Sequence, residues 1–325
     1  MAVKRVLMTE RLHPAGHELF ATRDDVEVVI ADNNHPETLA KALVGVHGVA
    51  VRAAKLTEDV LANANDLQVV SRHGVGCDNV AVDYLSARGI PVCIASGANA
   101  RCVAEHTLSM MMSLARDLTG QTALVREGRW PDRSKYIAKD LFRSKLLIIG
   151  YGRIGRMVAP LCRAFGMDVT VADINLNRDI AAQQGVRAVE DFRPVLGEAD
   201  FVSIHVPLDE TTHHLIGEKE LAAMKPGVIV INNARGGVVD EAALAAALAS
   251  GHVAGAGVDV YSDEPPPADH PLLNQPNTIL TPHNGAASVL ALEAASIMTA
   301  QNILDHFDGC LRKEMIFNFD GLQAS

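Results

Sequence analysis

The sequence predicts an α/β protein built on two parallel sheets, and three observations carry that expectation. Short apolar runs alternate with helix-length segments along most of the chain, the rhythm of parallel strands joined by crossover helices. The series runs twice, with a long helical pattern near residue 100 between the two halves. At 325 residues the chain also exceeds the usual size of one domain.

In the first half KRVLM (4–8), VEVVIA (26–31), GVAVRAA (48–54), LQVVSR (67–72) and PVCIA (91–95) read as strands. PETLAKAL, TEDVLANA and DYLSARG separate them as helical segments. From Asn99 to Arg116, Val103, Leu108, Met111, Met112 and Ala115 recur at helical spacing, which marks a long helix able to link two domains. The second series is KLLIIG (145–150), DVTVAD (168–173), VRAV (186–189), DFVSIHVP (200–207), VIVINNA (228–234), AGAGVDV (254–260) and NTILTPH (277–283). A helix over about 287–307 and a short last strand, EMIFN (314–318), complete the series. Asp263 to Pro267 is a proline-stiffened loop.

Composition narrows the function. Hydrophobic residues at 48% and charged residues at 21% are globular values, and no apolar run is long enough for a membrane span. A formal charge of −10 gives no overall basic field for a nucleic-acid backbone. The N-terminus lacks the apolar stretch and cleavage site of an export signal, so a cytoplasmic location is expected. Five cysteines, without a C-x-x-C pair, argue against a disulfide frame or a zinc cluster and for reduced thiols. No metal site is expected.

The motif with the clearest mechanism is Gly150-Tyr151-Gly152-Arg153-Ile154-Gly155, between the strand KLLIIG and a helical run. Its first glycine permits a tight turn, its second lets backbone approach a pyrophosphate, and its third lets helix pack on strand. The helix N-terminus then supplies N–H groups and positive dipole. Asp173 ends the next strand, 18 residues after Gly155. An acid there suits the ribose 2′-hydroxyl of NAD and repels the 2′-phosphate of NADP.

A redox cofactor needs a partner site beyond the carboxyl ends of the strands. Arg235 follows VIVINNA, Glu264 follows AGAGVDV and its loop, and His283 follows NTILTP. A guanidinium can fork onto a carboxylate or hold a carbonyl oxygen. An imidazole can give a proton to that oxygen as hydride reaches carbon, and a carboxylate beside it favours the imidazolium. Taken singly, each also reads as an ordinary surface or capping residue. Of the competing histidines, His106 in the linking helix and His205 inside a strand read as structural, and His213 and His214 as exposed.

The chain resembles the D-isomer-specific 2-hydroxyacid dehydrogenases in RHGVGCDNV (72–80), VAEHTLSMMM (103–112), GYGRIG (150–155), HVPLDETTHHLIG (205–217), INNARGGVVDEAAL (231–244), GVDVYSDEP (257–265) and TPHNGA (281–286). The resemblance implies two Rossmann-like doubly wound domains, a discontinuous substrate domain (1–98 and 286–325) and an inserted NAD-binding domain (99–285). It makes Arg235, Glu264 and His283 the catalytic trio and turns Gly150, Gly152, Arg153, Ile154, Gly155, Asp173, Pro207 and Asp259 towards the cofactor. The loop Gly74-Val75-Gly76 is implied to offer backbone N–H groups to a substrate carboxylate, with Arg52 and His73 as further candidate contacts beside Arg235. Domain closure would exclude water from the site. The implied activity is interconversion of a small 2-oxo acid and its D-2-hydroxy acid, of the phosphoglycerate dehydrogenase or hydroxypyruvate–glyoxylate reductase type. A non-catalytic NAD(H)-sensing interaction protein on the same fold is the alternative.

Cys102 and Asn284 depart from the family's common residues and bear on substrate preference. Glu264 argues against the formate dehydrogenase branch, which carries an amide there. The C-terminal regulatory modules of longer phosphoglycerate dehydrogenases are not expected. A homodimer is implied, with region 120–142 reaching the partner and Trp130 either in that contact or a local packing anchor.

Overall fold

The structure is a computed structural model that describes residues 3–323. Its chain divides into two compact units, Met1–Asn99 with Ala287–Ser325, and Ala100–Ala286.

The first unit holds β1 (Lys4–Met8), β2 (Val26–Ile30), β3 (Gly48–Val51), β4 (Val69–Arg72) and β5 (Val92–Ile94), all parallel, in the order β2-β1-β3-β4-β5. Alternation sends successive side chains to opposite faces. Leu7, Val49, Val51, Val70 and Val92 build one core with Leu39, Leu56 and Leu85. Val6, Met8, Ala50, Val69 and Cys93 build the other with Phe20 and with Ala300, Ile303 and Leu304 of the returning helix Val289–Phe307. Both faces are covered, as parallel strands require. The helix Pro14–Ala21 lies so close to the returning helix that a Cβ on Gly16 would stand 2.5 Å from the Ser296 carbonyl oxygen.

The expected final strand is not formed. Lys313–Met315 is a 3₁₀ turn, and Ile316 makes one isolated bridge to Cys93. The Asn318 side chain accepts the Val92 N–H (2.8 Å) and donates to Ile90 O (3.1 Å), so a side chain takes the place of a further ladder bond at the sheet edge.

The second unit carries β6 (Lys145–Ile149), β7 (Asp168–Ala172), β8 (Arg187–Val189), β9 (Phe201–Ile204), β10 (Val228–Asn232), β11 (Val253–Val258) and β12 (Thr278–Leu280), again parallel, in the order β12-β11-β10-β9-β6-β7-β8. This is the doubly wound pattern, and its strand order reverses between β6 and β9. The helix Ala100–Ala115 opens the unit and buries Val103, Ala104, Thr107, Met110, Met111 and Ala115. Thr107 and Met110 join the buried stripe and Leu108 packs half-buried against the same core, whereas Met112 faces outward, off the 3.6-residue period that starts at Val103.

Alanine at Gly16 forces the two helices of the first unit apart, so Gly16→Ala is expected to cost at least about 1–3 kcal/mol. The check is a lower urea midpoint with an unchanged slope.

Candidate functional site

The glycine motif lies at the reversal of strand order, where ligands bind in open α/β sheets. His205 N–H donates to Ile149 O (2.7 Å), which brings the segment after β9 against Gly150. Gly150 adopts φ +96°, and a Cβ there would stand 2.6 Å from the His205 carbonyl. A Cβ on Gly155 would stand 2.2 Å from Gly150 O, so this glycine sets how closely the helix Gly155–Ala164 meets β6. Gly152 differs, because a Cβ there meets no protein atom within 4 Å. Its space is a cradle that only a side chain or a ligand would fill. The helical ladder opens with Arg156 N–H to Gly152 O (3.0 Å), which leaves the N–H groups of Arg153 and Ile154 ahead of it. These features fit a dinucleotide pyrophosphate.

Pro160 interrupts the same helix and cannot donate to the Arg156 carbonyl. Gln184 donates to that carbonyl instead (2.9 Å), while its Oε1 accepts the hydroxyl of the buried Tyr151 (2.5 Å). Asp173 follows β7 and accepts Tyr151 N–H (2.6 Å) and Asn175 N–H (2.7 Å), placing a carboxylate beside the glycine turn. Pro207 is exposed in the loop after β9, and its carbonyl accepts the Thr212 hydroxyl (2.7 Å). His205 stands just past the end of β9 rather than inside it. Its Nε2 meets Ser203 Oγ at 2.7 Å, Nδ1 is buried with no partner among the described residues, and burial pushes the imidazole down to about 4.

Arg235, Glu264 and His283 follow β10, β11 and β12, three strands side by side with β11 in the middle, paired Asn232↔Val258 and Val258↔Leu280. Asn232 shapes the first turn by accepting Ala234 N–H (3.1 Å) and donating to Arg235 O (3.0 Å). Arg235 is half-buried and donates from Nη1 to Ala234 O (2.8 Å). A Cβ on the adjacent Gly236 would stand 1.9 Å from the Tyr261 carbonyl carbon, so the Arg235 loop lies directly on the start of the Glu264 loop.

His283 Nδ1 and Glu264 Oε2 are 2.7 Å apart, both side chains partly exposed. A carboxylate can only accept, so Nδ1 donates and Nε2 is left to exchange a proton. Glu264 Oε1 accepts Tyr261 N–H (3.2 Å). The backbone of His283 is left-handed at φ +50°, held by its N–H donating to Asp259 O (2.7 Å). Asp259 is 2% exposed, and its carboxylate accepts Asn284 N–H (2.9 Å), Gly285 N–H (2.8 Å) and the Thr281 hydroxyl. Its geometry therefore fixes the His283 turn. His106 joins the group through Thr281 Oγ1 (3.2 Å), and Cys102 Sγ lies 3.1 Å from Gly285 O.

In the first unit, Arg52 is exposed after β3, in a loop held by Glu10 and Asn79. His73 is buried, and its Nε2 meets Leu292 O at 3.3 Å. Burial, then the charges of Arg52 and Arg72, push its imidazole below the usual range. Gly74 adopts φ +150° and donates its N–H to Arg72 O (2.9 Å), leaving Val75 and Gly76 as the amides of the loop available to an anion. Among the described residues no group of three or more His, Cys, Asp or Glu is placed to hold a metal ion. Residues that shape the site without having been singled out from the sequence include Asn232, Gly236, Tyr261 and Thr281. The signal for Gly236 was the Gly-Gly pair after Arg235.

Gly152→Ala is expected to keep the wild-type melting temperature and to weaken NADH binding by about tenfold or more, about 1.4 kcal/mol. Gly155→Ala is expected to lose both affinity and stability. Fluorescence titration and thermal melts separate the two.

Residues 108–285 match the model of the D-isomer specific 2-hydroxyacid dehydrogenase, NAD binding domain. The D-3-phosphoglycerate dehydrogenase of Methanocaldococcus jannaschii is 36% identical over 96% of this chain, which spans 59% of that relative's length. The TT0316 protein of Thermus thermophilus superposes with a TM-score of 0.84 at 33% identity, over 94% of this chain and 97% of that one. A D-lactate dehydrogenase from Aquifex aeolicus, solved with NAD and lactic acid, superposes with a TM-score of 0.86 at 29% identity, over 97% and 99% of the two chains. The chain belongs to the D-isomer specific 2-hydroxyacid dehydrogenase family, and its second unit carries that family's NAD binding domain.

Proposed function

We propose that this chain is an NAD-dependent oxidoreductase that interconverts a D-2-hydroxy acid and its 2-oxo acid, of the phosphoglycerate dehydrogenase or hydroxypyruvate–glyoxylate reductase type. The observation that carries the reading is the 2.7 Å pair between His283 Nδ1 and Glu264 Oε2, on the loop that follows the strand beside Arg235's own. Gly152, Arg153, Ile154 and Asp173 hold the cofactor, which supplies or accepts a hydride when bound. In reduction His283 Nε2 gives a proton to the carbonyl oxygen, and in oxidation the neutral ring removes it from the hydroxyl. Glu264 orients the imidazole by accepting its Nδ1 hydrogen. Arg235 holds the substrate's carboxylate or carbonyl oxygen. Val75 and Gly76 supply amides for the carboxylate, Arg52 faces the remainder of the substrate, and His73 shapes the loop. Asp259 orients the His283 turn and, with Pro207, borders the cofactor.

We further propose a cytoplasmic homodimer. No helix among the described residues is long and apolar enough to cross a membrane. Trp130 is 60% and Ile137 91% exposed, with Val125 and Phe142 also outward, apolar side chains within region 120–142 that a partner surface would cover. The Trp130 ring meets the Arg133 guanidinium, 5.7 Å from its centroid, and leaves most of its area to solvent.

Because reduction consumes a proton, its rate is expected to fall with rising pH while oxidation rises. A panel of 2-oxo acids with NADH and of D-2-hydroxy acids with NAD, followed by absorbance, tests both activity and direction. His283→Phe is expected to lose at least about a hundredfold in kcat and to keep NADH affinity. Near-normal turnover in that variant refutes the acid–base role, and failure across the panel with intact NADH binding favours a sensing protein. Light scattering is expected to give twice 34.7 kDa, and Ile137→Asp to lower it.

A further inference from the structure

We propose that Glu241 and His270 are positioning residues for the Glu264–His283 pair, acting through the loop that carries Glu264. The inference rests on the role given to that pair above.

One carboxylate pins both ends of this loop. Glu241 stands at the first turn of the helix Glu241–Ala249, behind the N-cap Asp240. Its Oε1 accepts Ser262 N–H (2.8 Å) and its Oε2 meets His270 Nε2 (2.8 Å). Glu264 and the prolines after it lie between those two attachment points. His270 is 6% exposed, and its Nδ1 accepts Leu272 N–H (3.4 Å), so Nε2 carries the hydrogen and donates to Glu241.

The same imidazole meets Tyr261 edge-on, with centroids 5.7 Å apart. The Tyr261 hydroxyl donates towards Val258 O (3.3 Å) and Thr281 O (3.2 Å), and burial pushes that phenol up to about 12, which keeps it a donor. Tyr261 N–H in turn donates to Glu264 Oε1. Glu241 thus reaches the proton-transfer pair from two sides: through Ser262 it sets the loop's entry, and through His270 and Tyr261 it reaches Thr281, two residues before His283.

An acid in a helix's first turn has an ordinary use in balancing the helix dipole. That use needs neither a buried imidazole partner nor an oxygen on a distant loop amide. A carboxylate largely out of water is stable only when its oxygens are bonded, and here each oxygen has its own donor from one loop.

The test is a double-mutant cycle on Glu241 and Glu264, assayed with NADH and hydroxypyruvate, or glyoxylate if the wild type turns it over faster. Glu241→Gln keeps the volume but can accept only one of the two donors. It is expected to lower kcat by about tenfold with NADH affinity and the melting temperature near wild type. His270→Gln, which restores a donor to Glu241, is expected to lose less than His270→Ala. In a Glu264→Gln background, Glu241→Gln is expected to add no further loss. Losses that multiply in the double variant, or a Glu241→Gln enzyme with wild-type kcat, overturn the positioning role. If the wild type turns over neither, the cycle is run on whichever acid of the panel above it does turn over; a wild type inactive across that whole panel instead overturns the functional reading, and that result precedes any variant.

Discussion

Because β11 pairs with β10 on one side and β12 on the other, three loops leave the sheet side by side, and the buried Asp259 carboxylate just past β11 then decides how the third of them turns. An ionised group with 2% exposure is costly unless hydrogen bonds replace its water. Asp259 obtains those bonds from the Asn284 and Gly285 amides and the Thr281 hydroxyl, so its own desolvation enforces the conformation of residues 281–285. His283 can hold a left-handed backbone, rare for a residue with a Cβ, because its neighbours on both sides are fixed in this way.

Close backbone approach is the second constraint. Besides Gly16 and Gly155, two glycines let one loop peptide lie on another: Gly150 on the segment at His205, and Gly236 on the peptide at Tyr261. The first joins the two halves of the doubly wound sheet at its reversal. The second joins the Arg235 and Glu264 loops. Neither could be replaced by hydrogen bonding between longer side chains, since the distances leave no room for a methyl group.

Much of this was legible in the sequence. Every strand of both sheets was visible as an apolar run, because parallel strands buried on two faces give continuous hydrophobic stretches. The glycine motif was legible because strand, turn and helix follow one another within a few residues. Arg235, Glu264 and His283 could be found by chemistry since each follows a strand. The 2.7 Å meeting of Glu264 with His283 could not, because it depends on how a proline-rich loop folds back over 19 positions. EMIFN misled because its apolar residues suit a strand, whereas the Asn318 side chain occupies the edge groups a strand would have used. His270 was one histidine among many, and only its enclosure behind Tyr261 distinguishes it.

The helix after the glycine motif carries one more consequence. Pro160 removes a donor that the Arg156 carbonyl would have met, and the Gln184 amide fills the gap while also receiving the Tyr151 phenol. Positions 151, 160 and 184 are therefore coupled through one side-chain amide. A chain that restores an amide hydrogen at 160 relieves 184 of the Arg156 carbonyl but not of the Tyr151 phenol, whereas one that alters 184 alone strands both polar groups behind the glycine turn.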